Sequence, residues 1–377
     1  MTIRVSKRAT SDADLASSFL QSDFWGDFKA EYGWTALRLE LEARDGLDAL
    51  GEGRRVPLLL LVNRLPASLS FAYIPLGPEL EPLPEERASF LAELSEKLRP
   101  FLPKRCLFLR FDPPWRSVEV VSRPEGGASS RAIEVEAARP ALGLPLRRAV
   151  VDVQPPDTVV VDLRPSEEAI LAAMKAKWRY NVRYAEKKGV IVEEAGEESV
   201  PVFYALNRLT AARDRIALRS EGYYSRLFSL ASERRDSRIP GAPDLRLWIA
   251  KYEGRAIAAN ITLFRGEEAV YLYGASSDEE RRLMPTYALQ WAAMRAAKRA
   301  GCVKYDLYGI PPTDDPEHPM AGLYRFKTGF GGEIAHRAGS WDLPLMSVAY
   351  RCFRAAESAR AWWFKSFMKR LKKSRKP

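Results

Sequence analysis

The stretch LRLWIAKY (Leu245–Tyr252), Glu253-Gly254, RAIAANITLF (Arg255–Phe264) is two apolar-rich segments of strand length joined by a two-residue turn, the pattern of a β-hairpin. Working outward, a further strand is expected at Ala269–Ala275, a helix at Thr286–Arg299 ended by Gly301, and another strand at Val303–Tyr308. The same order stands upstream. Trp34–Leu41 alternates and has a hairpin partner at Val56–Asn63. Leu69–Ile74 then runs into the turn Pro75-Leu76-Gly77-Pro78, Pro84–Leu98 reads as an amphipathic helix closed by Pro100, and Cys106–Phe111 is a strand stopped by Asp112-Pro113-Pro114. A short helix is expected at Phe24–Tyr32. In the second half, Ser166 is placed to cap a helix through Glu167–Lys188, stopped at Gly189, with a strand at Val190–Glu194 and a helix at Val200–Arg213. Ser122–Leu146, rich in Arg, Gly, Ala and Pro, reads as a linker. Hairpin, strand, helix, strand, twice over, reads as a duplicated α/β unit.

The chain has 377 residues, enough for two domains, and its 46% hydrophobic and 29% charged content excludes disorder and collagen-like repeats. Cys106, Cys302 and Cys352 form no CxxC pair, so a zinc ribbon, a redox motif and a disulfide scaffold are excluded, and three thiols fit a reducing compartment. With only His318 and His336 available, no metal site and no histidine relay is expected. No run approaches the roughly 20 apolar residues of a membrane span, and Met1–Arg8 has no apolar core behind it, so a cytoplasmic protein is expected. Gly51-Glu52-Gly53 lacks the third glycine of a dinucleotide fingerprint and Gly329-Phe330-Gly331-Gly332 precedes a short strand. With no Walker A motif either, kinase, nicotinamide and P-loop functions drop out and no cofactor is expected.

The formal charge of +10 is concentrated at one end. Residues 351–377 hold ten bases against one acid, Glu357, leaving 49 bases and 48 acids elsewhere. Among those bases Trp362, Trp363, Phe364, Phe367, Met368 and Leu371 recur at roughly helical spacing. Such a helix suits an anionic membrane surface. An ordinary docking helix with a basic end fits as well, and a phosphate-grasping RNA tail fits less naturally.

Six segments occur in an order that resembles the FemABX family, the peptidoglycan-bridge aminoacyltransferases: Gln21–Lys29 (QSDFWGDFK), Gly33-Trp34, Tyr73–Pro78 (YIPLGP), Met174–Arg183 (MKAKWRYNVR), Tyr271–Ser276 (YLYGAS) and Tyr324–Gly332 (YRFKTGFGG). The resemblance runs from about Gln21 to about Pro344. It implies an α/β fold (α+β mixed sheets) of two GNAT-like domains with a cleft between them. No heptad run is present, so the armless type, with no coiled-coil arm, is expected. The implied division is 1–150 for domain 1, 151–335 for domain 2, 336–349 as a return to domain 1, and 350–377 as a basic amphipathic helix. The implied reaction moves an amino acid from aminoacyl-tRNA to the side-chain amine of residue three of the peptidoglycan stem peptide. The implied acceptor is lipid II or the soluble UDP-MurNAc-pentapeptide; the charge of the tail, apart from the resemblance, adds a peripheral contact to the anionic inner membrane face through 351–377 as an expectation.

Aminolysis of an activated ester needs orientation and a donor for the tetrahedral oxyanion more than it needs a nucleophilic side chain. Lys327, with Phe326 beside it, matches the family's lysine for that role; on its own it would be a solvent lysine next to a turn. Asp112 matches a family carboxylate near the acceptor amine, where a base is required because a lysine-type amine has a pKa near 10.4; on its own it would be a turn aspartate. Lys29, Arg219 and Tyr223 match positions that hold the diphosphate, Tyr223 being one helical turn beyond Arg219. Tyr271 and Tyr273, two apart on a strand, are expected on one face, lining a cleft or packing a core. The basic helix carrying Lys175, Lys177, Arg179, Arg183, Lys187 and Lys188 with Trp178, Tyr180 and Tyr184 suits a tRNA acceptor stem or is simply a solvated face. The competing activity is a GNAT-type acyl-CoA N-acyltransferase, which calls for a glycine-rich pyrophosphate loop. The segment at that place, Glu280–Thr286 (ERRLMPT), has no glycine. A non-catalytic adaptor for RNA or membrane is the remaining alternative.

Overall fold

A computed structural model describes residues 3–8, 16–43, 54–116, 142–214 and 216–373, with side chains described as far as Trp363. Two compact units divide the chain. Unit 1 holds residues up to 116, 142–156 and 337 onward, and unit 2 holds 157–336. Residues 117–141, which include 122–141 of the expected linker, lie outside the described residues.

Unit 1 is built on a seven-stranded mixed sheet. Its order is β1 (Ile3–Lys7), β2 (Trp34–Ala43), β3 (Arg55–Arg64), β4 (Ser70–Ile74), β5 (Cys106–Phe111), β14 (Trp341–Pro344), β6 (Arg147–Arg148). Only β4 and β5 are parallel, and α2 (Arg87–Leu98) is the crossover that parallel pairing demands. Strand β3 sits inside the sheet and is buried on both faces, which explains its unbroken apolar run Val56–Val62. Leu58 and Leu60 join Phe90, Leu91, Leu94 and Leu98 of α2 in the main core, while Leu59 and Leu61 meet Tyr73, Trp25 and Trp34 on the other side. Each such buried side chain contributes on the order of 1.5–3 kcal/mol.

Unit 2 repeats the layout. From one edge its order is β8 (Ile191–Ala195), β9 (Asp244–Tyr252), β10 (Arg255–Arg265), β11 (Glu268–Ser276), β12 (Lys304–Gly309), β7 (Asp157–Asp162), β13 (Glu333–His336). Again one pair is parallel, β11 with β12, joined through α7 (Pro285–Arg299). Position for position the two sheets match in strand direction, and the first five positions match in chain order as well, which is the duplicated α/β layout expected from the element order. The place that β7 fills in unit 2 is filled in unit 1 by β14, a strand from near the end of the chain.

One expectation needs correction. The helix foreseen over Glu167–Lys188 is two helices, α3 (Glu167–Ala173) and α4 (Ala176–Lys187), because Met174 is extended (φ −66°, ψ 152°) and the Lys175 N–H donates to the Gly329 carbonyl at 2.9 Å. Ser166 does cap α3, its hydroxyl accepting from Ala169 N–H at 3.2 Å. The first turns of the last helix, α9 (Ser347–Lys373), are docked, in keeping with the docking-helix alternative. Tyr350 is buried against Phe108, Phe353 packs on Phe71 and Phe108, and Glu357 binds Arg110 at 3.0 Å, where Asp342 also binds at 2.6 Å. Farther along, Trp362 and Trp363 are exposed. Among the described residues no helix is long and apolar enough to cross a membrane.

Candidate functional site

In unit 2 the parallel strands part. Their pairing covers only Glu268–Val270 with Lys304–Asp306. Beyond it β11 bulges at Leu272, where the register against β10 shifts between Ile261 and Thr262. Strand β12 shifts against β7 between Asp306 and Gly309, with Tyr308 in the left-handed region (φ 61°). A bulge disrupts a ladder and re-aims side chains, and such irregularities gather at functional sites. The buried Asp306 carboxylate accepts hydrogen bonds from the Tyr308 N–H (2.7 Å) and from the Thr158 hydroxyl, which holds the Tyr308 turn.

Lys327 sits in the last turn of α8 (Ala321–Thr328), only 5% exposed. Its ammonium donates to the Gly309 carbonyl at 2.9 Å and lies 5.4 Å from the centre of the Tyr271 ring. Among the described residues it forms no ion pair. Burial pushes its pKa down to about 8, with the charge of Asp306 working in the opposite direction. The result is a desolvated cation bound to one neutral oxygen, an arrangement able to exchange that oxygen for a developing oxyanion.

Phe326 is a wall of this site. It meets Tyr287 and Phe330 edge-on at 5.3 and 5.2 Å, and its carbonyl accepts from the Trp178 indole N–H at 2.8 Å. The glycines after Lys327 are needed for close approach. A Cβ on Gly329 would lie 2.1 Å from the Trp178 ring, and one on Gly331 (φ 83°) would lie 2.7 Å from the Ala173 carbonyl oxygen. The segment read from sequence as a tight turn thus seats α8 against the α3–α4 break.

Tyr271 and Tyr273 do not share a face, contrary to expectation. The bulge pairs Tyr273 with Ile261 and Tyr271 with Thr262, neighbours that point to opposite sides of the sheet. Tyr271 turns beside Gln290 of α7, its hydroxyl filling the space of a Cβ at Gly274, and burial pushes its pKa up to about 12. Tyr273 turns toward α6 (Glu221–Asp236). Its hydroxyl is 3.4 Å from that of Tyr223, and its ring meets Tyr224 edge-on at 5.2 Å. Burial and these phenols raise its pKa well above the usual value, Tyr308 contributing as well. Arg219 lies before α6 rather than one turn inside it, yet its guanidinium stands over the Tyr223 ring at 5.4 Å. Arg219, Tyr223 and Tyr273 therefore form one cluster and Lys327, Phe326 and Tyr271 another.

Unit 1 carries the other two candidates. Lys29, in the last turn of α1 (Asp23–Glu31), is half-buried with its ammonium 5.6 Å and 5.2 Å from the Trp25 and Trp34 ring centres. Asp112 is buried and accepts from the Tyr73 and Ser340 hydroxyls and from Gln154 N–H (3.2 Å). Burial pushes its pKa up to about 6, against the pull of those hydrogen bonds. It ties together β4, the segment before β14 and the 149–156 segment. On α4, Lys177, Arg183, Lys187 and Lys188 are exposed beside a stacked Tyr180–Tyr184 pair (5.6 Å), while Arg179 is committed to the carbonyls of Ala172 and Met174. Sequence reasoning missed Asp306, Tyr308, Gln290 and the part played by Trp178. Nothing local marks the first three, and Trp178 stood only among the aromatics of the basic helix.

The FemAB family model matches residues 9–234 and 245–358. The lipid II:glycine glycyltransferase of Staphylococcus aureus (strain USA300) is 22% identical over 390 aligned positions, covering 88% of this chain and 89% of that protein. The protein of the same name from Staphylococcus saprophyticus is 23% identical over 252, covering 53% of this chain and 61% of that one. The crystal structure of FemX has the same fold, with a TM-score of 0.69 at 19% identity over 90% of this chain and 96% of its own. A family match along almost the whole chain, on this doubled GNAT-like fold, makes it a member of the FemAB family, whose enzymes are aminoacyltransferases.

Proposed function

We propose that the chain transfers an amino acid from aminoacyl-tRNA to the side-chain amine of residue three of the peptidoglycan stem peptide, on lipid II or on UDP-MurNAc-pentapeptide, and so builds the interpeptide bridge. The observation that carries this reading is Lys327, a buried ammonium held by one carbonyl beside an opened pair of strands. The acceptor amine attacks the ester carbonyl; a C–N bond forms and the carbonyl electrons move to oxygen. The Lys327 ammonium leaves or shares the Gly309 carbonyl to donate to that oxyanion. Collapse restores the carbonyl and breaks the ester C–O bond; the tRNA ribose oxygen leaves with a proton from Lys327, which recovers one from the new N–H+ group on the acceptor nitrogen. A pKa near 8 suits the Lys327 proton to the departing alkoxide, since an acid poised near working pH transfers most readily.

Lys29, Arg219 and Tyr223 are assigned to the acceptor diphosphate, each cation being set over an aromatic ring that limits its freedom. Tyr273 supports that cluster, and Tyr271 with Phe326 shapes the pocket of Lys327. Asp112, whose oxygens accept from three donors that hold unit 1 in shape, is assigned to hold the acceptor ammonium and to take the proton it loses before attack. The exposed bases and stacked tyrosines of α4 are assigned to tRNA. Such an enzyme works in the cytoplasm, at the inner face of the cytoplasmic membrane when the acceptor is lipid-linked.

The test is mass spectrometry of stem peptides after incubation with lipid II and a mixture of charged tRNAs, with acetyl-CoA as a parallel donor. A mass increase of one or more amino acids on residue three, abolished by ribonuclease, is expected. Transfer from acetyl-CoA alone would overturn the reading. The turn entering α7 argues against that outcome, since Glu280 and Met284 are left-handed there without glycine and Pro285 offers no N–H to a pyrophosphate.

A further inference from the structure

Helix α9 is clamped at its root, and beyond it Trp362 and Trp363 are exposed. The root is held by Tyr350, by Phe353 and by Glu357, whose carboxylate lies 9% exposed on the buried Arg110 guanidinium. Past that clamp Trp362 and Trp363 are 70% and 60% exposed. Glu357 is also the only acid in residues 351–377, so the one negative charge of the tail is spent inside unit 1 and the ten bases have no acidic neighbour within the segment. From Arg360 on, the sequence interleaves Lys and Arg with Trp, Phe, Met and Leu, and the backbone is helical to Lys373.

We propose that α9 from Arg360 onward binds an anionic lipid surface, Trp362 and Trp363 seated among the headgroups and the bases over lipid phosphates, while the root stays fixed on unit 1. Charge complementarity selects the occupant: a net positive helix with adjacent tryptophans matches the interface of an anionic bilayer, where Trp is favoured and each nearby base adds attraction. An RNA partner would use the bases alone, whereas a lipid interface takes the bases and the exposed Trp362 and Trp363 together. The binding claim does not depend on the proposed reaction. Only its consequence does, namely a higher concentration of enzyme where a lipid-linked acceptor lies.

The full chain is mixed with vesicles rich in phosphatidylglycerol, or with pure phosphatidylcholine, and sedimented at several salt concentrations. Binding to the anionic vesicles only, weakening as salt rises, is expected. Trp362→Ser with Trp363→Ser, and separately Lys365→Glu, Lys369→Glu, Lys372→Glu and Lys373→Glu together, should each lower partitioning at least about tenfold while the melting temperature stays unchanged. Brominated lipid should quench wild-type fluorescence more than that of the tryptophan variant. Equal sedimentation of wild type and both variants overturns the proposal. So does a charge-reversed variant that loses tRNA binding with vesicle binding intact. Transfer to UDP-MurNAc-pentapeptide, assayed without vesicles, reports on the proposed reaction separately, and neither variant should alter it.

Discussion

The two sheets match position for position in strand direction, yet their parallel pairs end differently. In unit 1, β4 and β5 stay paired from Ser70 with Cys106 to Ile74 with Phe111. In unit 2, β11 and β12 separate after Val270 and Asp306. Where the pair is closed, Tyr73 and Asp112 at its end bond each other and tie unit 1 together. Where it opens, the strand ends carry a bulge and a left-handed tyrosine, and a buried lysine stands beside them. Of two equivalent frames, one stays paired to its strand ends past an irregularity between Ser70 and Ala72, and the other gives up backbone pairing beside the buried Lys327. The cost of that opening, about 1–3 kcal/mol for a residue such as Tyr308 in a sparsely populated conformation, is met by the Asp306 hydrogen bonds.

The largest effect expected from this contrast is at Lys327. Lys327→Ala should lower kcat by about 10²–10³-fold with acceptor binding nearly unchanged, because it removes a donor needed mainly in the transition state. Turnover surviving at saturating acceptor would detach the chemistry from the open strand pair. The same lysine sets a pH limb. Its protonated form is the donor, so kcat should fall as pH rises through about 8, and in Lys327→Arg any residual activity should hold to higher pH.

Gly329→Ala tests whether the seat of α8 matters. A Cβ 2.1 Å from the Trp178 ring should destabilise the protein by about 1–3 kcal/mol, read from denaturant midpoints, and shift Lys327 enough to depress kcat. Wild-type stability would show that the α8 end is loosely held. Arg219→Ala and Lys29→Ala are expected to act on binding, raising the acceptor KM about tenfold with little change in kcat, the loss of one charge-assisted contact each. Equal use by wild type of an acceptor stripped of its diphosphate would remove that assignment.

The smallest effect belongs to the closed pair. Asp112 has a native pKa of about 6, above its unfolded value near 3.9, so the native state binds the extra proton between those values and its stability falls as pH rises through that window. In Asp112→Asn this part of the melting-temperature profile should flatten. An unchanged slope would mean that the unit 1 carboxylate is not a titrating tie.

Much of this architecture was legible in residue order. Strands β2, β3, β9, β10 and β11 and helices α2 and α7 announced themselves because a buried face imposes its period on the sequence, and Ser166 announced the start of α3 because a cap is a local hydrogen bond. Strands β6 and β14, two and four residues long, are too short to carry a period. Lys29, Tyr271, Tyr273, Phe326 and Lys327 were legible as residue types within the six family-like segments, and Asp112, Arg219 and Tyr223 as matches to family positions outside them. Their grouping was not: Tyr271 and Tyr273 were expected together, and a single bulge at Leu272 separated them.

The amino-acid sequence by itself determined two α/β units, the apolar centre of each sheet and the place of the charge at one end of the chain, and its family resemblance singled out Lys327 and Asp112 as candidates. Tertiary structure alone decided where the β11–β12 pairing stops, that the helix breaks at Met174 to meet Gly329, that Glu357 is drawn into an ion pair with Arg110, and that the Lys327 ammonium is buried. The division is physical. Periodicity, caps and turns depend on neighbours a few residues away, whereas a register shift, a helix break answered 155 residues later by a carbonyl, and the desolvation of a charge depend on partners distant in sequence that only the packed chain brings together.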